Sequence, residues 1–342
     1  MPRKTHLFTQ EPHDLEQAGQ WLREGKLVAF PTETVYGLGG SGLVPEAITG
    51  IYKAKGRPRN NPLILHFPHA ESVFEEADPT APLFHLAQQI AQIFWPGPLT
   101  MVLRRRKTSE LCPEACAGLP TFAARVPEPL LTRKLLEFAA VPIAAPSANR
   151  SGRISPSSYQ DVFSELNGRI DGIVQGADCR VGIESTIIDF SQDRPKILRP
   201  GKIMPSDLRP FIADFPEYQL TPTAPEAKEN EQTPIAPGQF ISHYAPTLPV
   251  ELDIVSPDTT TQAWLSFHEV PAHFQGLSFV LSPSGSLEEA AQNLYKGLRF
   301  LDIEGQKRGL KSIAVSSIPK ENIGIAILER LSRAAAPRPQ AS

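Results

Sequence analysis

Residues 27–67 read LVAFPTETVYGLGGSGLVPEAITGIYKAKGRPRNNPLILHF, and this stretch decides the fold class. LVAF (27–30) is a short apolar run with the length of a buried strand, and PLILHF (62–67) is strand-like as well. Between them Pro45 suits the first position of a helix, Ile48, Ile51 and Tyr52 fall on one side, and Gly56 supplies the stop. Strand, helix and strand in so short a span imply an α/β or α+β sheet domain. The turn after the first strand carries Thr32 and Thr34, then Gly37, Gly39 and Gly40, which permit close backbone approach.

The pattern continues outward. Leu15, Ala18 and Leu22 predict a helix over 13–24 that stops at Gly25. Leu83, Leu86, Ala87, Ile90 and Phe94 predict one over 82–94, stopped by Trp95-Pro96-Gly97-Pro98. LTMVLRR, FAARV, PIAA, GIVQ, STIIDF and KILR are strand candidates. Ser155-Pro156 suits the N-cap and first position of a helix bearing Val162, Phe163 and Leu166. Farther on, VELDIV reads as a strand, 259–268 as a helix, LSFVLS as a strand, 286–302 as a helix, SIAVSSI as a strand and 321–335 as a helix. That alternation implies a smaller parallel, Rossmann-like sheet, although it lacks the glycine fingerprint of a dinucleotide site.

Proline marks the boundary between the two parts. Eight of the 35 prolines fall within 210–249, around the polar run TPTAPEAKENEQTPIAPGQ. The division expected is therefore a catalytic domain over 1–209, a proline-rich linker or lid over 210–249, a second domain over 250–336 and a tail over 337–342.

Composition excludes several classes. Hydrophobic residues make up 41% and the net charge is −3, so the chain as a whole is neither disordered nor coated in phosphate-neutralising charge. Three cysteines imply no disulfide framework, and the lone C-x3-C pair, Cys112 and Cys116, reads better as idle thiols than as a zinc site. The start has no apolar h-region and no run approaches a membrane span, so no membrane association and a cytoplasmic location are expected.

The chemistry concentrates at strand ends. Lys53, Lys55, Arg57 and Arg59 lie together with no carboxylate between Glu46 and Glu71. A solvated helix end explains such charge, since cations suit a helix C-terminus. Gly56 and Pro58, however, carry the run into a constrained loop that could clamp a polyphosphate. PTETVYGLGG, APSANRSG, GIESTIID, ILRPG and FAARVP all place small polar residues or arginines where strands begin or end. Open α/β sheets collect ligands there, although each segment alone is also ordinary turn chemistry. No G-x4-G-K-[ST], H-E-x-x-H or G-x-S-x-G is present. An RNA-binding module built on the basic loop remains open, against which stands the lack of interleaved aromatics.

Taken in order, PTETVYGLG, KAKGRPRNNPLILH, FWPGPLT, ARVP, APSANRSG, GIESTIID and ILRPG resemble the YrdC-like family of L-threonylcarbamoyladenylate synthases. Pro237-Gly238, HYAP (243–246), NLYKGLRFLD and NIGIAILERLSRAA look like the longer, two-domain form. The resemblance implies a twisted open sheet with helices around a basic concave cleft, plus the smaller Rossmann-like α/β domain. It implies synthesis of threonylcarbamoyladenylate from L-threonine, bicarbonate or CO2 and ATP, with Mg2+ on the phosphates and pyrophosphate leaving. The product would serve threonylcarbamoyladenosine formation next to the anticodon of tRNA, through a downstream transfer enzyme and with weak or no direct tRNA binding.

Carried over by motif, Thr34, His66, Arg125, Ala145 and Ser185 are the threonine-side candidates. Arg57, Asn61, Thr121, Ser147, Ser155, Arg199 and Tyr244 are the nucleotide-side candidates. Lys55 and Arg57 would act catalytically by holding phosphates. No protein side chain is assigned to metal. One departure stands out: Phe240, Ile241 and Ser242 occupy places where the family usually has Lys-Tyr-Arg.

Overall fold

In the computed structural model the described residues are 4–212 and 243–337. Most of the expected linker, with Phe240, Ile241 and Ser242, lies outside them.

The first part contains β1 (His6–Phe8), α1 (Pro12–Arg23), β2 (Val28–Phe30), β3 (Gly37–Ser41), α2 (Pro45–Lys55), β4 (Ile64–His66), α3 (Ala70–Glu76), α4 (Phe84–Phe94) and β5 (Leu99–Arg104). There follow β6 (Thr121–Arg125), α5 (Leu130–Ala139), β7 (Ile143–Ala144), α6 (Tyr159–Leu166), β8 (Gly172–Val174), β9 (Thr186–Asp189), β10 (Lys196–Arg199) and α7 (Pro205–Leu208). The strands form one mixed sheet in the order β1-β8-β2-β3-β7-β4-β6-β5-β9-β10.

Strand alternation sorts the two faces. Val28, Phe30 and Ile143 pack with Leu15, Leu22, Leu135 and Leu136 of α1 and α5. Ala29, Leu38, Leu65, Met101, Ala124 and Ile188 build the larger core under α2 and α4. Ile64, Val102, Ala123 and Ile187 form a small third cluster. His66 and Arg125 share the strand face of Ile64 and Ala123 and pair directly across β4 and β6. The sheet thus presents a polar wall immediately beside an apolar floor.

Several local expectations change. Gly37–Ser41 is a central strand rather than a loop, because the glycines let β3 lie against bulky neighbours: a Cβ on Gly39 would come within 2.7 Å of the Phe30 ring. The helix after Ser155 starts later, at Tyr159, because Ser158 and Asp161 form a reciprocal capping box. Its Phe163 faces outward at 38% exposure instead of joining Val162 and Leu166.

The second part contains β11 (Val250–Glu251), β12 (Gln262–Ser266), β13 (Ser278–Val280), α8 (Leu287–Lys307), β14 (Ser312–Val315) and α9 (Gly324–Ala335). Its sheet is wholly parallel, in the order β11-β14-β12-β13. The stretch expected as a helix over 259–268 is β12, where Ala263 and Leu265 enter the core between two neighbouring strands.

The two parts share a core. Val35, Ile154, Val181 and Ile183 from the first pack with Tyr244, Leu294, Tyr295 and Ile327. Gly182, at φ +77°, sits on the backbone of α8, where a Cβ would come 2.4 Å from Gln292 Cα. Among the described residues no helix is long and apolar enough to cross a membrane.

Candidate active site

A cavity opens where strand ends meet. It is lined by Thr34, Arg57, His66, Arg125, Ala145, Ser147, Glu184, Ser185, Arg199, His243 and Tyr244, among others. The sheet register puts His66 between Arg125 of β6 and Ile143 of β7. Burial first, then the Arg125 charge, lowers the His66 imidazole to about 3, so the ring is neutral at physiological pH.

Arg125 is held from three directions. Its Nε donates to Gly97 O at 3.3 Å, its Nη1 donates to Thr34 Oγ1 at 2.8 Å, and Nη2 lies 2.8 Å from Glu33 Oε1. Thr34 is itself fixed by a 2.9 Å hydroxyl contact with Thr32. Glu33 is a partner the sequence reading missed. The only sign of it was a carboxylate between two strand-end threonines, and position alone does not say which way it points.

The APSAN turn follows β7. Ala145 N donates to Ile64 O, Leu38 N to Pro146 O and Ala148 N to Tyr36 O, all at 2.8 Å. A Cβ on Gly37 would lie 3.3 Å from that of Ala145, so glycine lets the turn seat against β3.

Lys55 takes a different place from the one expected. Instead of entering the cavity, it sends Nζ to the carbonyls of Ser147 and Asn149, 2.5 Å each. Lys55 ends α2, and Gly56, in the left-handed conformation, redirects the chain after it. The ammonium therefore meets the neighbouring turn. Burial, then the Arg57 charge, pushes its pKa well down. Arg57 does line the cavity, oriented by bonds from Nε to Asn61 O at 3.4 Å and from Nη2 to Pro62 O at 3.0 Å. Lys53 and Arg59 are exposed, so the basic loop divides its charges between solvent and interior.

Asn61 is 1% exposed, and its Oδ1 has no hydrogen-bond partner. Leaving such an acceptor bare costs about 1–3 kcal/mol, which a ligand donor would recover. Thr121 lies apart from the cavity lining. It opens β6 opposite Arg104, at the far end of the strand from Arg125.

Ser185 and Arg199 form the opposite wall. Arg199 donates from Nε to Ser185 O at 3.0 Å and from Nη2 to Ser185 Oγ at 3.1 Å. Ser185 Oγ also contacts Thr100 Oγ1 at 2.8 Å. Gly201 is required there, since a Cβ would come 2.4 Å from Thr186 N.

Ser155 is fully buried and donates to Glu184 Oε1 at 2.6 Å rather than lining the cavity. Glu184 also accepts from Tyr295 Oη at 2.8 Å and Arg330 Nε at 2.9 Å. Burial pushes its carboxyl up, but Arg330, Arg199 and the Ser155 bond outweigh this and hold it at about 2. Glu184 was also missed: GIESTIID points to Ser185 and Thr186 entering a strand, and two of the carboxylate's partners, Tyr295 and Arg330, lie in the second domain.

The segment from His243 packs inward. Tyr244 is 1% exposed, stacks on Tyr295 at 5.8 Å and receives the Arg330 guanidinium at 5.5 Å. Its φ of +62° is costly for a bulky residue, a local strain held by these contacts. His243, beside it, is lowered to about 3, chiefly by burial.

The arrangement gathers three arginines, small hydroxyls and neutral imidazoles around one space. It supplies charge neutralisation and fixed donors, and the Thr34 and Ser185 hydroxyls that line it contact other hydroxyls and arginines.

Two family models match successive parts of the chain. A family model described as "Telomere recombination" (Sua5, YciO and YrdC) matches residues 20–201. A second, described as "Threonylcarbamoyl-AMP synthase, C-terminal domain", matches 206–336. The threonylcarbamoyl-AMP synthase of Bacillus subtilis is 36% identical over 97% of this chain and 95% of its own length. That of Pyrococcus abyssi is 37% identical over 93% and 92%. The crystal structure of P. abyssi Sua5 complexed with L-threonine superposes with a TM-score of 0.84 at 32% identity, covering 97% of both chains. Escherichia coli YciO, at 20% identity and a TM-score of 0.52, shares the fold of the first part.

Proposed function

The chain belongs to the Sua5/YciO/YrdC family, in its form with the threonylcarbamoyl-AMP synthase C-terminal domain, and on that premise we propose how its cavity makes threonylcarbamoyl-AMP. The substrates are L-threonine, bicarbonate or CO2, and ATP. The observation that carries this reading is one cavity in which Thr34 and Arg125 face Arg57 and Arg199.

Arg125 and Thr34 receive the amino acid, the guanidinium pairing its carboxylate. His66, Ala145 and Ser185 border the same space. Arg57, Ser147, Arg199 and Tyr244 form the nucleotide side. Asn61 lies outside the cavity lining and acts through Arg57, whose Nε donates to the Asn61 carbonyl. The amine attacks CO2 and loses a proton, giving a carbamate. A carbamate oxygen then bonds the α-phosphorus as the bond to the β-phosphate bridging oxygen breaks, and pyrophosphate departs. No protein nucleophile is needed, so positioning and neutralisation do the work.

Burial lowers Arg57 to about 10, so it stays cationic at neutral pH and can neutralise phosphate. Lys55 acts by pinning the Ser147 turn. Ser155 acts through Glu184. Thr121 stays a nucleotide-side candidate only if the ligand extends past β6. Glu33 and Glu184 are committed to Arg125 and Arg330, so a Mg2+ ion would be held by the phosphates, where it would add neutralising charge. Transfer to tRNA is assigned to a downstream enzyme.

The test is mass detection of threonylcarbamoyl-AMP from purified protein with ATP, threonine and bicarbonate. Pyrophosphate release should require both threonine and bicarbonate; ATP turnover indifferent to threonine refutes the reading.

A further inference from the structure

The carboxylate of Glu184 stands on the cavity wall beside Arg57 and Arg199, where anionic phosphates are expected. Left alone, it would repel them. Its compensation comes from the second domain. Arg330 of α9 is 1% exposed and donates from Nε to Glu184 Oε2 at 2.9 Å and from Nη2 to Glu184 O at 3.3 Å. Tyr295 of α8 adds its hydroxyl at 2.8 Å. The same guanidinium donates to Glu329, which Arg333 also contacts.

We infer that Arg330 is a positioning residue for the nucleotide, acting through Glu184: the second domain completes the site by cancelling a negative charge on its wall and fixing the turn that carries Ser185. This gives the second domain a role in substrate affinity, and it rests on the assignment of ATP to this cavity. Arg199 reaches the same turn through Ser185, so a shift of Glu184 also moves an arginine on the nucleotide side.

Packing alone predicts something different. If Arg330 only joins the domains, every change to the pair weakens binding, or none does. If charge compensation matters, the sign depends on which partner changes. The experiment is calorimetric titration of ATP with Mg2+ into the full-length chain, with folding checked by circular dichroism. Arg330→Met leaves Glu184 uncompensated, and ATP binding should weaken about tenfold or more. Glu184→Gln keeps the side chain's shape and leaves the cation, its amide oxygen accepting from Arg330 and Tyr295 while the Ser155 hydroxyl turns to accept from the NH2, so binding should tighten by about threefold. The double variant should return to within about threefold of the parent, since replacing both charges of a buried pair is far milder than removing one.

Glu184→Gln binding ATP as the parent does, or more weakly, overturns the inference, as does a double variant no better than Arg330→Met. If Arg330→Met does not fold, Glu184→Gln alone decides. A parent chain that binds no ATP overturns the functional reading and this inference together.

Discussion

Arg125 Nη1 donates to Thr34 Oγ1 at 2.8 Å, joining the end of β6 to the turn after β2 across 91 residues of sequence. Lysine cannot keep this bond together with those to Gly97 and Glu33, because it offers a point charge rather than a fork. Arg125→Lys should raise the KM for threonine by about 10-fold or more, the worth of one charge-assisted bond. The affinity for ATP should stay within about threefold. Initial-rate kinetics with each substrate varied separates the two. Equal losses on both would move Arg125 off the threonine side.

Lys55 satisfies two buried carbonyls, those of Ser147 and Asn149. Lys55→Met removes the donor and strands both acceptors, each costing about 1–3 kcal/mol. The thermal midpoint should fall by several degrees, and ATP binding should weaken because Ser147 is no longer held. Calorimetric melting with and without nucleotide reads both effects. A variant as stable as the parent shows that other donors reach these carbonyls.

Gly182 cannot accept a side chain. Its φ is +77°, and a Cβ would meet Gln292 Cα at 2.4 Å and Ala291 O at 2.5 Å. Gly182→Ala should therefore pry the second domain from the first, beyond the roughly 1 kcal/mol strain of placing alanine at positive φ. Limited proteolysis between the domains should accelerate, with a parallel drop in turnover. Unchanged proteolysis would mean that α8 shifts without consequence.

Three buried groups give the protein an acid limit. His66 and His243 are held at about 3 against an ordinary 6.5, burial being the main cause in both. Glu184 is held at about 2 against 4.5, by Arg330 and Arg199 over the opposing effect of burial. In each case the unfolded chain binds more protons than the folded one within the window, so stability rises with pH there. From pH 6.5 down to 5 each histidine should cost about 2 kcal/mol; below pH 4.5 Glu184 adds to the loss. Denaturant titrations at pH 7, 6 and 5 should show this slope, and His66→Gln should flatten it. A slope unaltered by His66→Gln would mean that the ring is charged in the folded protein.

Local grammar made much of the fold legible. The Pro45 start and Gly56 stop of α2, the Trp95-Pro96-Gly97-Pro98 stop of α4 and the apolar stripe of α8 are written into adjacent residues. β3 was not legible, because Gly37, Gly39 and Gly40 carry no strand propensity and become a strand only between β2 and β7. β12 was not legible either, since Gln262–Ser266 is a strand through the neighbours it pairs with.

The same line divides the site. The sequence by itself determined which residues stand at strand and helix ends: Thr34, Arg57, His66, Arg125, Ser147, Ser185 and Arg199 belong to short motifs whose chemistry is local. Only the tertiary structure decided where their charges go. It turned Lys55 onto backbone carbonyls, gave Arg125 to Glu33, and brought Arg330 from the far end of the chain onto Glu184. The physical reason is that a buried charge must find its partner in space, and sequence spacing places no limit on how far along the chain that partner lies.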